Sequence, residues 1–235
     1  MARIPSASLP RTLPKARWLQ LHPAMSTADH ESSNPTDLGR SDSVLGWHSR
    51  GYLPHFDSPG AIQSVTFRLY DSVPAERVES WRAELSLRRS RGERETTWEV
   101  LLARIARYED AGHGQCWLSD ARIAAIVESV LLHYDGVRYR LFEWSAMPNH
   151  LHVLLECFRE FSLRGVVRTW KSFSGREANR ILGREGRFWA PDYFDRFIRD
   201  ERHFEAVRRY IRENPVTAGL CATASDWPWG SARRG

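Results

Sequence analysis

Two histidines separated by one leucine, in Met147-Pro-Asn-His-Leu-His-Val-Leu-Leu155, are the residues here whose types and spacing point most directly to chemistry. Positions two apart on a strand face the same way, so His150 and His152 would present their imidazoles side by side while Leu151, Val153 and Leu155 face a core. Imidazole is the commonest metal ligand, and two on one rigid strand make half of a metal site. A polar sheet face carrying two ordinary histidines has the same spacing. Further along, Tyr210-Ile-Arg-Glu-Asn214 sets a phenol and an amide one helical turn apart on one face, with Cβ atoms about 5 to 6 Å apart. Tyrosine can act as a covalent nucleophile, and an asparagine oxygen can complete the coordination of a hard cation. Taken singly, Tyr210 also reads as a core aromatic and Asn214 as a cap ahead of Pro215.

Strands and helices must hold these groups. Residues 62–69 alternate, with Val65, Phe67 and Leu69 on one face and Ser64, Thr66 and Arg68 on the other, as a half-buried strand does. Residues 76–87 read as a charged amphipathic helix, followed by an Arg/Glu-rich stretch to about 95, and 98–108 as a second helix leading into a loop at Asp110-Ala-Gly-His-Gly114. Asp120 is a plausible N-cap for a helix through His133. A strand over 139–146 pairs with 150–156 across the short Pro-Asn turn as a hairpin. A helix over 161–182 interleaves apolar residues with Arg164, Arg168, Lys171, Arg176 and Arg180; a strand near 194–199 and a helix over 201–214, ended by Pro215, complete the pattern. With the charged helical insertion at about 75–118 set aside, the order is β-α-β-β-α-β. That is the ferredoxin-like α+β arrangement, here with an appended C-terminal helix carrying Tyr210. Such a sheet carries its helices on one face, so the histidines would share the open face with Ser64, Thr66 and Arg68.

Composition narrows the partners. The chain has 235 residues, a formal charge of +5 and 34 basic residues, of which only Lys15 and Lys171 are lysines. Arginine suits bidentate phosphate contacts and base stacking; a GC-rich genome would produce the same skew. Residues 159–212 hold 14 basic against 8 acidic side chains, a local +6. Arg68, Arg164, Arg168, Lys171, Arg196, Arg199 and Arg209 are the candidate phosphate contacts, and Trp170, with Trp189, Trp227 and Trp229, a candidate platform for unpaired bases. For any one tryptophan, packing in the core competes with that role. Cys116, Cys157 and Cys221 match no ligand or disulfide spacing and read as free thiols. No apolar run is long enough to span a bilayer, so the expectation is a soluble, cytoplasmic protein. Residues 1–46, rich in Ser, Pro, Thr and Asp, read as a disordered tail or an over-extended gene start, with Met25 as an alternative first residue, before a single domain at 47–235.

Five runs together carry a resemblance: Gly51-Tyr-Leu-Pro-His-Phe-Asp57, Val65-Thr-Phe-Arg-Leu69, Met147-Pro-Asn-His-Leu-His-Val153, Tyr193-Phe-Asp-Arg-Phe-Ile-Arg-Asp200 and Tyr210-Ile-Arg-Glu-Asn-Pro-Val-Thr-Ala-Gly-Leu220. Over about 47–232 the chain resembles the REP-associated tyrosine transposases, within the His-hydrophobic-His single-tyrosine transposases of bacterial insertion sequences. The resemblance implies a divalent metal, Mg²⁺ or Mn²⁺, on His150 and His152, Tyr210 as the nucleophile and Asn214 as third ligand, where relatives often have glutamine. It implies cleavage and rejoining of single-stranded DNA beside hairpin-forming, REP-like palindromes through a 5′-phosphotyrosine, by a monomer or homodimer. The rivals are a non-catalytic hairpin-binding protein and a metal-dependent phosphodiesterase that uses water.

A chain lacking residues 1–44 is expected to stay soluble, keep its melting temperature and cleave DNA as the full chain does. Loss of soluble protein or of cleavage on truncation would place the tail inside the domain.

Overall fold

The computed structural model describes residues 46–49, 54–58, 60–93 and 98–234. Residues 1–45 of the expected tail lie outside the described residues, and Gly46 already belongs to a strand. Four strands form the central sheet: β3 (Ile62–Arg68), β4 (Tyr139–Ala146), β5 (His150–Cys157) and β6 (Phe194–Phe197), in the order β4-β5-β3-β6 with every pair antiparallel. A separate two-stranded ladder, β1 (Gly46–Ser49) with β2 (Pro54–Asp57), precedes it. The crossover from β3 to β4 runs through α1 (Ala75–Ser90), α2 (Trp98–Asp110) and α3 (Ala121–His133). That from β5 to β6 runs through α4 (Leu163–Leu182), and α5 (Glu201–Thr217) follows β6. The ferredoxin-like order expected from the sequence is the one observed, with α1 and α2 as the insertion.

Local signals explain where the elements begin. Asp120 accepts from the Arg122 N–H, Ser162 from Gly165 and Asp200 from His203, so three helices start on short polar side chains that satisfy otherwise orphaned donors. Gly183, at φ 61°, ends α4 in the left-handed region that glycine enters without a Cβ penalty. Helix α3 packs against α4, and α4 reaches the sheet through Trp170, stacked 6.4 Å from Phe67. Val65, Phe67, Leu69, Leu151, Val153 and Leu155 are all buried. Helices α1 and α2 share a small core of Val73, Val78, Leu85, Leu101 and Ile105, and Arg104 forks onto Glu84 at 2.6 and 2.9 Å.

Three expectations change. The histidine face is not open: α5 lies along β4 and β5, and His150 and His152 are only 1% and 4% exposed. Helix α2 runs on through Asp110, because the turn comes later, at Gly112 with φ 73°. Pro215 does not end α5, which continues to Thr217 and then closes through Ala218 N–H to Asn214 O (2.9 Å). Proline's fixed φ is compatible with a helix, and in this last turn its costs are a missing donor and crowding of the Ile211 carbonyl. After α5 the chain returns along β4. Ala146 N–H donates to Trp229 O (2.8 Å), Trp227 Nε1 donates to Ala146 O (3.1 Å), and Ser145 bridges Gly230.

The tryptophans belong to this packing. Trp170 is 2% exposed, and its Nε1 donates to Tyr139 Oη (2.9 Å), which itself donates to Leu131 O (2.6 Å). Trp170 therefore presents no face to a base, and Trp189, Trp227 and Trp229 are buried too. In Tyr139→Phe both partners lose the hydroxyl inside the core, a cost of about 1 to 3 kcal/mol. Chemical denaturation is expected to show that loss with an unchanged m-value.

Candidate active site

The turn between β4 and β5 fixes the histidines. Asn149 is buried and its Nδ2 donates to two carbonyls, Glu109 O at 3.0 Å and His113 O at 2.9 Å, so its Oδ1 must face His150 Nδ1, 2.7 Å away. An amide oxygen only accepts, hence His150 carries its proton on Nδ1 and turns a lone pair outward on Nε2. His152 is held from the neighbouring strand, Thr66 Oγ1 lying 2.8 Å from its Nδ1, in the register that pairs Thr66 with His152 and Arg68 with His150. The two Nε2 atoms stand 2.9 Å apart. Two nitrogens each about 2.1 Å from one octahedral ion at a right angle would be separated by about 3.0 Å, so the pair fits a single hard cation.

Two further groups converge on the pair. Asn214 Nδ2 lies 3.1 Å from His152 Nε2, and a half-turn of that amide would offer Oδ1 instead. Asp110, at the end of α2, places Oδ1 3.6 Å from His150 Nε2, and single donor atoms of Asp110, His150 and His152 all lie within 4.8 Å of one another. The Tyr210 ring sits 5.4 Å from that of His152, and the residue is 48% exposed. Sequence reasoning thus brought together His150, His152, Tyr210 and Asn214, and missed Asp110 and Asn149.

Electrostatics follow from burial. His152 is held down to about 4 by desolvation, and His150 well below the ordinary imidazole value by desolvation and then by its neighbour, so both are neutral ligands at pH 7. Burial raises the Asp110 carboxyl; burial also carries Glu109 up to about 7 against the pull of Arg68, 3.6 Å away. Partial burial, reinforced by the charges of Asp110 and Glu109, pushes the Tyr210 phenol up to about 12, and a hydrogen bond from Asn214 partly offsets this. The phenol is therefore protonated at neutral pH.

Glu109, Asp110, His152 and Tyr210 line a cleft of about 1020 Å³, floored by Ser64, Thr66 and Arg68 and walled by α2 and α5, with Arg196, Arg199 and His203 on its rim. Arg164, Arg168 and Lys171 line a second groove of about 1150 Å³ beside α4, together with Arg176, Arg180, Arg184 and Arg187. The expected basic surface is thus divided between two depressions. Lys171 is partly occupied with structure, since its Nζ donates to Pro191 O (2.9 Å) and Asp192 O (3.3 Å), and burial lowers it to about 8. Arg209 lines neither depression and stands on the exposed side of α5.

Residues 119–214 match the family described as "Transposase IS200 like", a span that includes both histidines, Tyr210 and Asn214 but not Asp110. No curated protein matches the chain. Among solved structures, the chain is similar to a REP-associated tyrosine transposase bound to a REP hairpin, at 15% identity over 80% of this chain and 83% of that one, with a TM-score of 0.49. It is also similar to a candidate transposase from Deinococcus radiodurans R1, at 12% identity over 71% and 96% of the two chains, with a TM-score of 0.27.

The buried imidazoles make stability sensitive to acid. His152 titrates near 6.5 when unfolded and near 4 when folded, so its contribution is complete above pH 6.5 and is lost as pH falls towards 4, by roughly 3 kcal/mol. Glu109, raised in the folded state, acts the other way between pH 4.5 and 7. Denaturation of wild type and His152→Gln in EDTA isolates the first effect: the gap between them is expected to move in favour of the variant as pH falls from 7 to 4.

Proposed function

We propose that the chain, whose residues 119–214 match the IS200-like transposase family, is a metal-dependent single-stranded DNA endonuclease and strand transferase. Tyr210 is its nucleophile, and its targets are breaks beside hairpin-forming repeats. The observation that carries this reading is the meeting of an exposed phenol with a buried, neutral histidine pair: Tyr210 lies against His152, and Asn214 lies between the two groups. Buried neutral nitrogens with their lone pairs turned to one point suit a cation, and a half-exposed tyrosine beside them is open to a polymer.

The residues divide the work. His150, His152 and Asp110 would hold Mg²⁺ or Mn²⁺, with Asn214 completing the set through its oxygen. A divalent ion bound there would offset the carboxylate charge that raises Tyr210 and would polarise a non-bridging phosphate oxygen. Arg68, Arg196 and Arg199 would guide the strand's phosphates through the cleft, although Glu109 already neutralises part of Arg68. The Tyr210 oxygen attacks phosphorus in line, its proton passing to solvent in the same step. The bond to the 3′ oxygen breaks, and solvent returns one proton to that leaving oxygen, which becomes a free 3′-OH. The phosphotyrosine conserves the phosphodiester, so another 3′-OH can reverse the step and join strands without ATP. The groove beside α4, walled by seven cationic side chains, would take the hairpin stem by phosphate contacts that weaken with salt. Residues 47–235 would act as one domain.

Tyr210→Phe removes one oxygen and keeps the ring. Wild type incubated with a labelled hairpin oligonucleotide and Mn²⁺ is expected to give a denaturation-resistant adduct on the DNA 3′ of the cut, and the variant none while still shifting the DNA. An adduct mapping to Tyr193, or cleavage without any adduct, would sink the assignment. In a separate test, His150→Ala and His152→Ala are expected to abolish cleavage at saturating Mg²⁺ or Mn²⁺ while leaving DNA affinity within about twofold. Wild-type cleavage by either variant would move the metal elsewhere.

A further inference from the structure

The pairing of β4 with β5 slips between Leu141 and Glu143, so that Leu141 faces Leu155 and Glu143 faces Leu154, with Phe142 as the extra residue of a β-bulge. A bulge turns consecutive side chains towards the same neighbour. Here both meet α5: Phe142 packs edge-on against Phe204 at 5.2 Å, and Glu143 Oε2 takes Arg208 Nε at 3.3 Å and Arg212 Nη1 at 3.7 Å. Phe204, Arg208 and Arg212 are four apart and form one stripe of the helix. Tyr210 and Asn214 form another stripe, the one on the histidines. Glu143 is 2% exposed, and its other oxygen contacts Ser231 Oγ, which also accepts from Trp144 N–H (3.0 Å).

A buried carboxylate costs desolvation unless it is paired and hydrogen-bonded. This one is met from α5 on one side and from the C-terminal segment on the other. Each residue of a helix is rotated about 100° from the last, so holding the 204–208–212 stripe to the bulge fixes where the 210–214 stripe points. We propose that the bulge at Phe142-Glu143 is a clamp that sets the rotation of α5, and that Glu143 is thereby a positioning residue for attack by Tyr210. The proposal rests on the reading of Tyr210 as nucleophile, and Glu143 is buried against Arg208, Arg212 and Ser231, none of them a ligand in that reading.

Glu143→Gln keeps the shape and the Ser231 contact but removes the charge facing Arg208 and Arg212. At saturating single-stranded DNA the rate of adduct formation is expected to fall about 10- to 100-fold, the usual penalty for a nucleophile displaced by an ångström or so. DNA affinity and calorimetric Mn²⁺ affinity should stay at wild-type values. Amide exchange should quicken in 201–217 and not in 150–157. An unchanged adduct rate overturns the clamp, as does a rate loss matched by equal losses of DNA and Mn²⁺ affinity, which marks general damage. If Glu143→Gln fails to fold, the double variant Arg208→Gln with Arg212→Gln, which leaves the Glu143–Ser231 contact in place, is read by the same criteria. Absence of an adduct from wild type refutes the nucleophile instead. The exchange comparison then decides alone, and equal protection of 201–217 in both proteins overturns the clamp.

Discussion

Two imidazoles are buried side by side without charge, and much of the molecule is arranged to make that tolerable. Burial removes water from four ring nitrogens, so each needs a protein partner or a ligand. Asn149 and Thr66 take the outer pair, which leaves the inner pair facing one point. Asn149 can do this only because its own amide is held by the carbonyls of Glu109 and His113, at and just beyond the end of α2. The same turn accepts from Leu118 through Pro148 O, and Leu69 donates to Asn149 O. The charged insertion is therefore part of the histidine site and not an ornament on it. Whatever displaces α2 changes the tautomer and aim of His150.

That dependence marks the limit of what the sequence disclosed. The strands and α3 were legible because a period of two or of 3.6 is imposed directly by a one-sided core, and Asp120 and the Pro-Asn turn marked the boundaries. His150, His152, Tyr210 and Asn214 were legible because each pair lies within one element, where spacing alone decides which side chains share a face. Asp110 was not. Its helix ends two residues later than the Asp-Ala-Gly stretch suggests, and that difference decides whether its carboxylate points along a loop or into the cleft. Nothing in local spacing tells a residue some forty positions from the histidines that it will sit 3.6 Å from one of them. Trp170 misled for a related reason: an aromatic among arginines resembles a stacking platform, but on a helix the arginines occupy the opposite side.

Net charge was a coarse guide as well. Several arginines are committed to carboxylates that hold the fold together: Arg104 to Glu84, Arg233 and Arg234 to Glu128, and Arg208 and Arg212 to Glu143. What the +5 of the chain means for a polyanion depends on the residues around α4, where seven cations line one groove. Arginine's planar fork serves both purposes, bracing a buried carboxylate and meeting a phosphate, which is why counting basic residues could not separate them.

The return of the chain along β4 has a consequence of another kind. In a four-stranded antiparallel sheet β4 is an outer strand, and an outer strand with bare amides and carbonyls is a template on which a second molecule can add its own strand. Trp227, Trp229 and Gly230 occupy part of that row, and Ser231 takes the amide of Trp144. Residues 227–231 thus cover part of an edge that would otherwise be open to a second chain. A chain cut before Trp227 would keep most of its sheet and bare that edge, so self-association would follow the loss of residues 227–231 and not the loss of the fold.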